Sequence, residues 1–187
     1  MVKSGGPKYK YKPSLKSRLT EPIKTTNHNH HNHHKYRPTA IPPGFVLLRD
    51  TREQAPLFVR TKDLTVTVTT LHDGDYTIKG FEETFSIERK MESDFYAYIG
   101  KERKKTMAKL ERLRSFKFAA LVLEGLSWDD LAVQSMYSTM TPEHTRGFLI
   151  ALHMRYGLHF FCHRKREVIE RWVLDRAVKF YNINREV

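Results

Sequence analysis

Hydrophobic and polar residues follow two rhythms along this chain, and the rhythm changes near residue 94. Before that point the pattern is that of strands. Phe45-Val46-Leu47-Leu48 is a continuous apolar run closed by Arg49-Asp50, as in a buried strand. Residues 64–70 (LTVTVTT) alternate apolar residues with Thr and are rich in β-branched side chains, which predicts a second strand. His72-Asp73-Gly74-Asp75 has turn chemistry. Tyr76-Thr77-Ile78 and residues 84–90 predict two more strands, with Lys79-Gly80 near the turn between them. This half is expected to form a mostly antiparallel meander.

From residue 94 to about residue 116, Tyr98, Met107, Leu110 and Leu113 recur at helical spacing with many Lys and Arg between them. They predict a long basic amphipathic helix, with Gly100 as the point of a break. Residues 118–123 (FAALVL) form an apolar run of strand length closed by Glu124-Gly125. Ser127-Trp128-Asp129-Asp130 reads as a capping box opening a short helix. Thr141-Pro142-Glu143 opens another, with Thr as N-cap and Pro at the first position, and Tyr156-Gly157 ends it. Residues 158–162 predict a strand and residues 164–181 a last helix. Strand and helix alternate here, so the expected class is α/β with a mixed sheet flanked by helices. There is no internal repeat.

Composition adds an unfolded arm to this picture. Residues 1–40 hold nine Lys or Arg against one acid, Glu21, together with Gly5, Gly6, Pro7, Pro13, Pro22 and Pro38 and few aliphatics. Such a segment cannot bury enough apolar surface to offset its chain entropy. The expected division is a disordered basic arm over residues 1–43 and a folded domain over 44–187. The arm contains Asn27-His28-Asn29-His30-His31-Asn32-His33-His34, either a low-complexity tract or a loose site for Zn²⁺ or Ni²⁺. Lys8-Tyr9-Lys10-Tyr11-Lys12 suits a strand-tracking arm, with cations on phosphates and rings on bases, or a solvated tail.

The whole chain of 187 residues carries a formal charge of +12, which points to polyanionic partners, nucleic acid before an anionic membrane. Its apolar runs fall far short of the ~20 residues of a membrane helix, and it does not open on a secretion signal. Cys162 is the one cysteine, which excludes an internal disulfide and a Cys-based zinc cluster. The expected setting is a reducing interior: an intracellular protein, not a secreted one.

Against this basic background, three groups of acids stand at strand ends: Asp50-Thr51-Arg52-Glu53, Gly74-Asp75-Tyr76, and Ile87-Glu88-Arg89-Lys90 followed by Asp94. Taken singly, each has a bland reading as an N-cap, a turn or a solvated charge run. Alternation puts Glu88 and Lys90 on one face of a strand and Arg89 with Ile87 and Phe85 on the other. Jointly the acids suit phosphodiester hydrolysis. Asp75 and Glu88, with Asp50 assisting, could hold a hard cation such as Mg²⁺ that activates water. Lys90 could orient that water or meet charge developing on the phosphate.

Gly74-Asp75, then Glu88-Arg89-Lys90-Met91-Glu92-Ser93-Asp94, preceded by Asp50-Thr51-Arg52-Glu53, resembles the nuclease domain of the XPF/Hef-type structure-specific endonucleases. The likeness runs from about residue 46 to 124 and more weakly beyond. It implies a restriction-endonuclease-like core, Mg²⁺ or Mn²⁺ as cofactor, and cleavage of flaps, forks or other branched DNA. It further implies Asp50, Asp75 and Glu88 as metal ligands, Lys90 as the water-positioning or charge-stabilising group, and Glu53, Arg89, Arg52 and Asp94 as further site residues. Alternation leaves Arg89 either bracing Asp94 from behind or returned to the site by a bulge or an end-of-strand position. Nuclease domains of this family often pair, which implies a homodimer. The tandem helix-hairpin-helix module and the Walker phosphate loop of larger relatives are missing, as in the compact stand-alone form of phages and mobile elements.

Lys104, Lys105 and Arg112 on the basic helix, and Arg164, Lys165 and Arg166 at the start of the last helix, are expected phosphate contacts or solvated faces. The rival reading is a nuclease-like subunit without activity that binds DNA or acts as a scaffold. Against it, Asp50, Asp75, Glu88 and Lys90 are all in place. A membrane-surface or RNA-binding protein would leave those acids unexplained.

Overall fold

A computed structural model describes residues 39–185 of the chain. The arm up to residue 38, with its histidine tract and its Lys-Tyr run, lies outside the described residues. Strands β1 (Leu47–Asp50), β2 (Val66–Thr69), β3 (Tyr76–Ile78) and β4 (Phe85–Met91) come first. Helices α1 (Glu92–Ile99) and α2 (Arg103–Leu113) follow, then β5 (Phe118–Glu124), a 3₁₀ turn (Asp130–Ala132), α3 (Pro142–Tyr156), β6 (His159–His163) and α4 (Arg166–Asn184). No helix among the described residues is long and apolar enough to cross a membrane.

The strands form one mixed sheet in the order β2-β1-β3-β4-β5-β6. β1 pairs with β2 in parallel, β3 runs antiparallel to both β1 and β4, and β4, β5 and β6 are parallel. Five strands therefore point one way and β3 alone is reversed. Two of the three pairings among β1–β4 are antiparallel, as expected for the first half, but the parallel β1–β2 pair and the strand order correct the expected meander. The physical reason is the long connection over residues 51–65, which carries the chain back to start β2 beside the start of β1, as a parallel pair requires. The α/β class and the mixed sheet flanked by helices stand.

Each sheet face packs its own core. On one side Leu121 and Leu123 meet Phe95, Ile99, Leu110, Phe148 and Leu152 from α1, α2 and α3. On the other, Tyr76, Phe85, Ile87, Ala120 and Val122 meet Ile169, Val173 and Ala177 of α4, with Ile41 packed at the margin. β5 is buried on both faces because it lies between parallel neighbours with helices above and below, which is why it reads as an unbroken apolar run. Burying a side chain such as Phe85 or Phe95 contributes about 1.5–3 kcal/mol.

Local signals set the helix ends. The long basic helix breaks at Gly100 into α1 and α2. Asp130 Oδ2 accepts from Ser127 N and Oγ at 2.7 Å each, the expected capping box, although only a 3₁₀ turn follows. Thr141 Oγ1 accepts from His144 N at the start of α3, with Pro142 in its first turn, and Gly157 ends that helix at φ +69°.

Candidate active site

Because β3 alone is reversed, its start meets the carboxyl ends of β1, β4 and β5 at one edge of the sheet. Asp50, Asp75, Glu88, Lys90 and Glu124 all lie in or beside this edge. Gly74 makes the close approach of β3 to β4 possible. Its φ is +81°, and a Cβ there would stand 2.2 Å from Ser86 Oγ and 3.0 Å from Ile87 O. With no side chain in the way, Asp75 N donates to Ile87 O at 2.7 Å. Asp75 Oδ2 in turn accepts from Arg89 N at 2.7 Å. The Asp75 carboxylate is thus pinned to the backbone of β4.

Glu88 is 2% exposed and its carboxylate lies between two ammonium groups. Lys90 Nζ is 2.6 Å from Oε1 and Lys109 Nζ, from α2, is 2.8 Å from Oε2. Lys109 donates an aligned hydrogen bond, whereas Oε1 receives none. Lys90 also lies over the Tyr98 ring, 5.4 Å from its centroid. Burial opposes charge on Glu88, but Lys90 and Lys109 outweigh it and hold the carboxyl below its ordinary range. Burial and then the charge of Glu88 push the Asp75 carboxyl up to about 7. The two acids are thus pushed in opposite directions, Glu88 below its ordinary range and Asp75 above it.

Asp50 is positioned differently. It is buried at the end of β1, and Arg52 folds back onto it. Oδ1 accepts from Arg52 N (2.8 Å) and Nε (2.6 Å), while Oδ2 accepts from Arg52 Nη2 (3.1 Å) and Leu71 N (2.7 Å). Burial alone would raise its pKa, but these bonds prevail and bring it down to about 2. The structure therefore brings Asp75, Glu88 and Lys90 together and commits the oxygens of Asp50 to the protein itself. Among the described residues no three His, Cys, Asp or Glu side chains are gathered closely enough to hold a metal ion. The donor set fits a hard divalent cation held by two carboxylates, with water or phosphate oxygens completing its shell, as Mg²⁺ prefers. Asp75 and Glu88 are the two carboxylates that could hold it, and Glu88 Oε1, with Lys90 Nζ 2.6 Å away, lacks an aligned hydrogen bond.

Arg89 serves the opposite face. Its Nε donates to Glu124 Oε2 at 2.8 Å and its Nη1 to both oxygens of Glu53 at 3.2 Å. Glu124 Oε1 accepts from Arg166 Nε at 2.7 Å, and Arg166 Nη1 donates to Pro56 O. Arg89 does not brace Asp94: near the end of β4 it lines the same cleft as Lys90 while its guanidinium turns to Glu53 and Glu124. It ties Glu53 to Glu124 in a buried network, because alternation along β4 carries it to the α4 face. Asp94, in the first turn of α1, helps to hold Lys90 charged. Asp75, Arg89, Lys90, Asp94, Arg52 and Glu53 share the wall of a cleft of about 410 Å³. A larger cavity of about 920 Å³ among α1, α2 and α3 is lined by none of Asp50, Asp75, Glu88, Arg89, Lys90 or Asp94.

The basic residues expected at phosphates divide in two. Lys104, Lys105 and Lys165 are exposed. The others are engaged with acids: Arg112 with Asp73 at 2.7 Å, Arg164 with Asp130, and Arg166 with Glu124. Sequence reasoning missed Glu124, which looked like the close of an apolar run, and Lys109, which was one cation among many on its helix. A signal for Glu124 existed, since a carboxylate ending a strand buried on both faces needs a buried partner.

Residues 49–174 match the family model of the ERCC4 domain. The fold is similar to that of XPF from Aeropyrum pernix, at 17% identity and a TM-score of 0.54, over 72% of this chain and 60% of that one. It is also similar to XPF from Aeropyrum pernix in complex with DNA, at 16% identity and a TM-score of 0.57, over 73% and 64% of the two chains. This chain thus spans less than two thirds of the length of those chains. A search of curated proteins finds no match. With the domain match covering most of the folded region, and Asp75 hydrogen-bonded to β4 at Ile87 and Arg89, the chain belongs to the ERCC4-domain family of XPF-type nucleases.

Proposed function

We propose that this protein is a divalent-metal-dependent DNA endonuclease that cuts phosphodiester bonds in flapped, forked or otherwise branched DNA. The observation that carries the reading is the half-buried Asp75 set against the buried Glu88 beside Lys90, built on the family's own motif. Asp75 and Glu88 would hold Mg²⁺ or Mn²⁺, which when bound polarises the phosphoryl oxygen and makes a bound water more acidic. Lys90, kept charged by Glu88, Asp75 and Asp94, orients that water or meets negative charge building on the phosphate. Arg52, whose side chain is 68% exposed, presents its guanidinium at the cleft wall to a phosphate oxygen. Asp50 positions Arg52. Arg89 fixes the β4 amide that holds Asp75.

Lys104, Lys105 and Lys165 supply nonspecific phosphate contacts, together with the basic arm. The exposed Ile150 and Met154, four residues apart on α3, support pairing of two copies.

The test is incubation of the parent, Asp75→Asn and Glu88→Gln with labelled flap, fork, nicked and linear DNA in Mg²⁺, Mn²⁺ or EDTA. The parent should cut branched DNA with either metal and not in EDTA. Each variant should lose roughly 10²–10³-fold or more in turnover, the scale for removing a charge-stabilising group. Their DNA binding should be kept or strengthened, since negative charge is removed. A parent that binds DNA and cuts none of these substrates with either metal would instead be an inactive DNA-binding subunit.

A further inference from the structure

We propose that Lys109 is the resident counter-ion of Glu88 and competes with a divalent cation for the Glu88 carboxylate, so that this lysine sets the metal concentration the site needs. The inference rests on the reading of Glu88 as a metal ligand. Lys109 lies outside the motif that gave the site its other residues; α2 delivers it across the sheet face to the buried carboxylate. Its ammonium is 2.8 Å from Oε2. A hard cation binds carboxylate oxygens at about 2.0–2.6 Å, so an ammonium held on the same carboxylate repels it strongly.

Of the two lysines on Glu88, Lys109 is the one placed to yield. Lys90 is held by Glu88, Asp75 and Asp94 and lies over the Tyr98 ring. Lys109 makes one hydrogen bond among the described residues, the one to Glu88. Its helix neighbours at i−4 and i+3, Lys105 and Arg112, are both cations. Like charges at these spacings repel, and its one side-chain hydrogen bond, to Glu88, opposes that repulsion. Lys109 is also the more exposed of the two, at 28% of its side chain against 21% for Lys90, which leaves it a route into water.

Mn²⁺ binding to the full chain, without DNA, separates the possibilities. Calorimetric titration of the parent, Lys109→Met, Lys109→Arg and Glu88→Gln should show Lys109→Met binding Mn²⁺ roughly tenfold tighter or more, since a nearby positive charge is gone. Lys109→Arg should stay close to the parent, and Glu88→Gln should bind weakly. In EDTA, Lys109→Met should melt about 2–4 °C or more below the parent, and Mn²⁺ should raise its Tm further than it raises the parent's. A lysine with a merely structural role would lower Tm and leave Mn²⁺ affinity unchanged or weaker, and that result would overturn the inference alone. If Glu88→Gln binds Mn²⁺ as the parent does, the metal-ligand reading itself fails. Should Lys109→Met not fold, Lys109→Gln carries the same expectation.

Discussion

Strand β4 sends three consecutive charged residues to two opposite destinations. Arg89 goes to the α4 face, where Glu53 and Glu124 grip it and Arg166 closes the network; there, anion and cation are matched in a rigid arrangement. Glu88 and Lys90 go to the other face, where the balance is unequal. One carboxylate has two ammonium groups on it, burial and the Glu88 charge push the neighbouring Asp75 carboxyl above its ordinary range, and a buried oxygen lacks an aligned hydrogen bond. A matched buried network holds a fold in one geometry but is committed to it. An unequal cluster is costly to keep and is suited to receiving a further charge. The same three residues thus supply a clamp and a site.

The largest contrast comes from making one chemical change on each face. Glu88→Gln should remove roughly 10²–10³-fold or more of turnover while leaving a folded protein. Glu124→Gln should leave measurable turnover per folded molecule and lower stability in urea. Equal losses of turnover from both would erase the distinction between the faces. Next in size, Arg89→Met leaves Glu53 and Glu124 buried without their cation and should cost about 3–5 kcal/mol in denaturant unfolding. Arg89→Lys should recover little of it, because a single ammonium cannot span both acids.

A smaller effect is expected where β3 meets β4. Gly74→Ala places a methyl against Ser86 Oγ at φ +81° and should cost about 2–4 kcal/mol, with Asp75 displaced and turnover reduced. The smallest is Asp50→Asn, at about 1–2 kcal/mol near neutral pH. Asp50 has a folded pKa of about 2 against an ordinary value near 3.9. Its ionisation therefore stabilises the fold above about pH 4, and that contribution is lost as pH falls through about 2. The gap between parent and Asp50→Asn should be full at neutral pH and close toward pH 2. A gap that widens on acidification would show that Arg52 and Leu71 do not hold this carboxylate as the structure has them.

Much of this was legible in the sequence because local physics decides it. Thr141-Pro142, Gly157 and the break at Gly100 mark helix ends by capping and backbone freedom alone. The Glu88–Lys90 face follows from alternation. Strand direction was not legible, because whether residues 51–65 make a hairpin or a crossover depends on which strand the chain meets next. The fate of the cations was not legible either. Arg112, Arg164 and Arg166 look like any basic surface run until folding brings Asp73, Asp130 and Glu124 against them. Lys109 and Glu124 join the site or its support from elements far along the chain, and no spacing rule connects them to Glu88 or Arg89.

The central claim is that Asp75 and Glu88 together hold the catalytic cation. A crystal of the protein grown with Mn²⁺, with data collected for anomalous scattering, tests it most directly. The expected result is a peak about 2.0–2.6 Å from one oxygen of each carboxylate, with Lys109 Nζ withdrawn from Glu88. A strong Mn²⁺ peak elsewhere, with Glu88 still bound by both lysines, would contradict it.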